Sequence, residues 1–132
     1  MKVRRITCAL IIAAATVSWL ACGMSHSPAP AIAVQFQPTP PTSIDTGAYA
    51  AISAVVTNDN QFLGVSFSCT PLNSCGIFTP AQTASNVPVC YLAPATVPAG
   101  NTVTITATSV SDTSKFKSAT ITVLNGAPVP CP

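Results

Sequence analysis

Apolar and polar residues alternate along most of the chain beyond residue 31. Ile32, Val34 and Phe36 face one way and Ala33, Gln35 and Gln37 the other, until prolines at 38, 40 and 41 interrupt. The same period of two runs through Ile52, Ala54 and Val56, through Val65 and Phe67, through Val103, Ile105 and Ala107, and through Ala119, Ile121 and Val123. The intervening positions are mostly Ser and Thr. Successive side chains of a strand point to opposite faces, so this pattern predicts strands buried on one side and wetted on the other. The thirteen prolines all follow residue 27 and crowd the gaps between the runs, where a missing N–H breaks no ladder. Five clear strands and one or two weaker ones, joined by turn-rich loops, predict an all-β domain of two packed sheets. No run past residue 22 has a helical period.

The N-terminus follows a different rule. Residues 1–5 carry Lys2, Arg4 and Arg5, and residues 6–21 form an uncharged stretch of sixteen. A short basic region followed by an apolar one is a secretory leader, and sixteen residues is short for a membrane span of about twenty. The leader ends in Trp19-Leu20-Ala21-Cys22-Gly23, which resembles the lipobox of bacterial lipoproteins. That resemblance implies cleavage before Cys22 and a lipid on its side chain; Trp19 stands where the box usually has leucine. The other reading is ordinary cleavage further on, after Ala31 in Ala29-Pro30-Ala31. Residues 23–31 are rich in Ser and Pro and lack a hydrophobic period, so they read as a tether rather than as part of a core.

Charge then excludes one class of partner. Only 6% of the 132 residues are charged, glutamate is absent, and Lys115 and Lys117 are the only basic residues after Arg5. From residue 23 onward two lysines stand against three aspartates, a formal charge of −1. Such a surface cannot neutralise phosphates, so no nucleic acid is expected as partner.

The ordered segments carry a second resemblance. Val34-Gln35-Phe36-Gln37-Pro38, then Gly47, then Ile52-Ser53-Ala54-Val55-Val56-Thr57-Asn58-Asp59 resemble the opening strands of bacterial immunoglobulin-like domains of the invasin and intimin type. Gly64-Val65-Ser66-Phe67-Ser68-Cys69 is similar to the third strand, with Phe67 where the core aromatic is often Trp. Cys75-Gly76-Ile77-Phe78-Thr79-Pro80 and Tyr91-Leu92-Ala93-Pro94 resemble a short strand with its turn and a tyrosine-alanine-proline segment. The runs at 103–110 and 118–123 resemble the last two strands. The resemblance implies a single Ig-like two-sheet Greek-key sandwich of about seven strands over residues 32–124, followed by a tail at 125–132. That family serves mostly as spacer, stalk or adhesive module, and fold alone does not assign a ligand.

Six cysteines are present, with Cys8 inside the leader. Apart from Cys22, the exported portion holds Cys69, Cys75, Cys90 and Cys131, which allow three disulfide pairings. Cys69 and Cys75 flank a Pro-Leu-Asn turn and form the best pair, worth roughly 2 to 3 kcal/mol by chain entropy. Cys90 with Cys131 would then pin the tail beside Tyr91. A four-cysteine zinc site is the alternative, but spacings of five, fourteen and forty residues lack the close pairs such sites use.

Little here supports catalysis. The single histidine, His26, lies in the tether, so no serine or cysteine of the domain has a histidine beside it. Asp45 and Asp112 sit at turns, and Asp59 among Asn58 and Asn60 reads as a hairpin turn before it reads as a calcium ligand. Lys115-Phe116-Lys117 reads as a solvated turn before the last strand, and Phe62 and Leu63, near a loop, are expected in the core, with a small contact patch as the alternative. The sequence therefore points to a non-enzymatic envelope lipoprotein without cofactor, held to the membrane by its N-terminal lipid and meeting an envelope protein or glycan. The alternative is a secreted adhesin-like domain binding glycan or protein, which calls for an exposed patch among Tyr49, Phe62, Phe78 and Tyr91.

Overall fold

Alternation is what the backbone follows. A computed structural model describes residues 27–128 together with Pro130 and Cys131, and among these there are ten strands and no helix. In chain order they are β1 (Ala33–Phe36), β2 (Ser43–Asp45), β3 (Tyr49–Ile52), β4 (Ala54–Thr57), β5 (Val65–Thr70), β6 (Ile77–Thr79), β7 (Gln82–Thr83), β8 (Val89–Leu92), β9 (Thr102–Ser109) and β10 (Phe116–Leu124). They form a five-stranded sheet in the order β2-β10-β9-β5-β7, a three-stranded sheet in the order β3-β8-β6, and the pair β1-β4.

The inward positions are those the alternation marks. Ile52, Ala54, Val56, Val65, Phe67, Val103, Ile105, Ala107, Ile121 and Val123 are all buried in one cluster to which every sheet contributes. Each large apolar side chain there contributes about 1.5–3 kcal/mol relative to exposure. Phe67 of β5 stacks on Phe78 of β6 with centroids 5.4 Å apart, so the aromatic contact joins the five-stranded sheet to the three-stranded one. On the opposite face of β9, Thr102, Thr104, Thr106 and Thr108 lie in register with Thr122, Thr120, Ser118 and Phe116 of β10. Thr106 and Ser118 join their hydroxyls at 2.9 Å. Hydroxyls cover that face where charges ordinarily would.

The run at 52–57 is not one strand. Ile52 closes the β3–β8 ladder opposite Val89, while Ala54 opens the β4–β1 ladder opposite Phe36. Ser53 lies between, buried, with its hydroxyl donating to the Gln37 carbonyl and its own carbonyl accepting the Gln37 N–H at 3.1 Å. Residues 85 and 86 then take the far side of β4: Val56 N donates to Ser85 Oγ at 2.9 Å and Asn86 N donates to the Ala54 carbonyl at 2.8 Å. The alternation is unbroken while the partner changes, which accounts for one of the strands beyond the seven or so expected.

The opening segment also changes partner. β1 pairs antiparallel with β4, the chain passes the prolines at 38–41, and β2 then pairs parallel with the end of β10, Ile44 against Val123. The segment touches both the first and the last parts of the chain.

Candidate functional site

The two disulfides organise one end of the molecule. Cys69 is bonded to Cys75 and Cys90 to Cys131, with Cα separations of 5.7 and 6.4 Å. The first closes the loop between β5 and β6. Tyr91, on β8 and fully buried, donates its hydroxyl to the Cys75 carbonyl at 2.5 Å and sets its ring 4.9 Å from that of Phe78. Burial pushes the Tyr91 phenol up to about 12. Gly76 is required beside it: its φ is +91°, and a Cβ there would stand 2.1 Å from the Leu92 carbonyl oxygen. The second disulfide holds the tail against β8, and on its way the tail accepts a hydrogen bond from Thr46 Oγ1 at the Gly126 carbonyl, 3.3 Å.

Three loops meet at the opposite end. The β4–β5 loop at 58–64, the segment 84–88 between β7 and β8, and the β9–β10 hairpin at 110–115 enclose a cleft of about 430 Å³ at the first two, lined by Val56, Asn58, Asp59, Asn60, Phe62, Ala84 and Ser85. Asp59 ties the loops together. Its Oδ1 accepts the Gln61 N–H at 3.0 Å and the Ser111 hydroxyl at 2.5 Å, and Val110 N donates to the Gly64 carbonyl at 3.1 Å. The Ser111 hydroxyl above all, then the N–H groups of Gln61, Phe62 and Gly64, hold the Asp59 carboxyl below the usual aspartate range, against the opposing effect of its burial. Asp112 is also lowered, by the hydroxyl and N–H of Ser114 and then by Lys115. Both carboxylates serve turns. Among the described residues no three His, Cys, Asp or Glu side chains gather in a group that would hold a metal ion.

The same loop overturns one expectation. Phe62 is 87% exposed and Leu63 47% exposed, so neither belongs to the core. Asp59 is buried in their stead, and its hydrogen bond to Gln61 N caps a turn that leaves Phe62 at φ 54°, projecting its ring outward. The polar run Asn58-Asp59-Asn60-Gln61 before Phe62 and the glycine after Leu63 were the signal for a projecting tip. Of the other aromatics considered for binding, Tyr91 is buried, Phe78 packs on the core, and Tyr49 is exposed at the far end of the β3–β4 run from Phe62. They form no shared patch. Phe116, outside that group, is exposed next to the β9–β10 hairpin.

Cys22, the leader and His26 lie outside the described residues. Residues 27–31 are exposed and without regular structure, and Asn58 Nδ2 donates to the Ala31 carbonyl at 2.9 Å. The N-terminal segment therefore enters at the Asp59 end. Comparison with protein-family models, with curated proteins and with solved structures found no match.

Proposed function

We propose that this chain is a non-catalytic lipoprotein of the bacterial cell envelope, anchored through Cys22 and carrying one Ig-like domain as a structural or interaction module. The observation that carries the reading is the pairing of all four cysteines beyond residue 22 into two disulfides, a state kept in oxidising compartments, behind an N-terminus with the composition of a secretory leader.

Strand order supports the Ig-like part. Joining β3 and β4 as one interrupted strand gives β1, β3–β4, β8, β6 on one side and β10, β9, β5 on the other, the latter flanked by the short edge strands β2 and β7. An Ig constant-type sandwich sets its first, second, fifth and fourth strands against its third, sixth and seventh, and this order corresponds. The aspartates support the non-catalytic part, since Asp59 and Asp112 commit their carboxylates to turn N–H groups and serine hydroxyls.

Metabolic labelling with a fatty-acid analogue tests the anchor. Label should enter the parent chain and be lost from Cys22→Ser; a Cys22→Ser protein that keeps its label would refute the reading.

A further inference from the structure

We infer that the loop tip bearing Phe62 and Leu63 dips into the lipid interface of the membrane that holds the protein. The inference rests on the lipid-anchor reading and adds to it an orientation and a contact surface.

Position comes first. The N-terminal segment is joined to this end by the Asn58–Ala31 hydrogen bond. Eight residues lie between Cys22 and Ala31, a reach of at most about 32 Å even fully extended. The end that carries the tip is thus the end nearest the anchor.

Chemistry comes second. The largest exposed apolar side chain of the loop is set outward rather than collapsed: Phe62 is 87% exposed at φ 54°, a conformation costly for a bulky side chain. Asp59 holds that turn from a buried position, its carboxylate, the loop's only one, engaged by the N–H groups of the turn and by the Ser111 hydroxyl. Val87, on the neighbouring segment, and Phe116, at the start of β10, are also exposed, and Phe116 is flanked by Lys115 and Lys117. These are the only two lysines of the domain, and both stand at this end; Asp112 in the hairpin faces Lys115, which leaves Lys117 beside Phe116 as the cation without a nearby carboxylate in the hairpin, while Asp45 lies at the other end. Exposed Phe and Leu at one end, with Phe116 and Lys117 on the neighbouring hairpin, is the composition that settles at the boundary between headgroups and acyl chains. A tip of this size binds weakly alone. The tether supplies the high local concentration that makes a weak contact persist.

Tryptophan fluorescence tests it on the full chain, expressed with its leader and purified as the mature protein. The sequence has one tryptophan, Trp19, which cleavage before Cys22 removes, so Phe62→Trp and Tyr49→Trp each give a single reporter at opposite ends, and the parent protein is the blank. The variants are placed in phosphatidylcholine vesicles with brominated acyl chains, and the mature mass and flotation with the vesicles are recorded. The indole of Phe62→Trp is expected to emit at shorter wavelength and to be quenched several-fold more than that of Tyr49→Trp. Lipidated protein that floats, with Phe62→Trp no more quenched than Tyr49→Trp, overturns the tip contact and leaves the anchor standing. Protein of unlipidated mass that does not float overturns the anchor, and the tip contact falls with it.

Discussion

Tyr91 joins two otherwise separate features, the aromatic pair inside the core and the disulfide-closed loop. Tyr91→Phe keeps the ring but strips the Cys75 carbonyl of its partner in a buried place, and should cost about 1–3 kcal/mol in denaturant unfolding. The same hydroxyl gives an alkaline signature. Its proton is lost near 10.0 in the unfolded chain and near 12 in the folded one. The folded state therefore keeps this contribution below pH 10.0 and loses it as pH rises from there to about 12. Unfolding midpoints measured across that window should fall more steeply for the parent than for Tyr91→Phe. Asp59 behaves in the opposite sense. Its lowered carboxyl stabilises the fold above the usual aspartate range, and that stability goes as pH falls through the folded value. Ser111→Ala removes the largest cause, so it should weaken the protein at neutral pH and flatten the acid limb, with the Asp59 NMR titration moving up. Gly64 has φ +85°, and a Cβ there would meet the Thr83 carbonyl oxygen at 2.1 Å. Gly64→Ala should therefore destabilise by at least about 1–3 kcal/mol.

Among the elements, the long strands were legible from alternation and the shortest were not; β6 was expected only through the family resemblance. β9 and β10 alternate over eight and nine residues, enough for a period of two to stand out. β2, β6 and β7 have three, three and two residues, too few to show a period, and they exist because a neighbour offers a ladder. The break at Ser53 was equally hidden, since alternation runs through it and only the Gln37 contact reveals the change of partner. Phe62 was misjudged for a related reason: hydrophobicity says what a side chain gains by burial, not whether the backbone turns it inward. The disulfides rank by the chain they close. Residues 41 apart in sequence are joined by Cys90–Cys131 and residues 6 apart by Cys69–Cys75. Chain entropy gives about 4 and about 2 kcal/mol. Replacing the Cys90 and Cys131 pair with serine should accordingly lower the denaturant midpoint more than replacing the Cys69 and Cys75 pair.

On the scale of the whole molecule, the chain enters beside Asn58 and ends beside Cys90, and low charge is offset by hydroxyls on the outer face of the large sheet. The mass of the mature protein under non-reducing conditions tests several of these statements together. It should correspond to a chain beginning at Cys22, bearing lipid, and short of four hydrogens for its two cross-links. The Cys90–Cys131 bond also decides how the protein would answer a mechanical pull between the anchor and the last residues. Tension reaching Cys90 passes directly through sulfur to Cys131, so the stretch between them, with all of β9 and β10, is not drawn out. Only the portion before Cys90 can lengthen under force, and even there the loop from Cys69 to Cys75 is bypassed. A domain built this way yields less chain to a pull than its sequence length suggests.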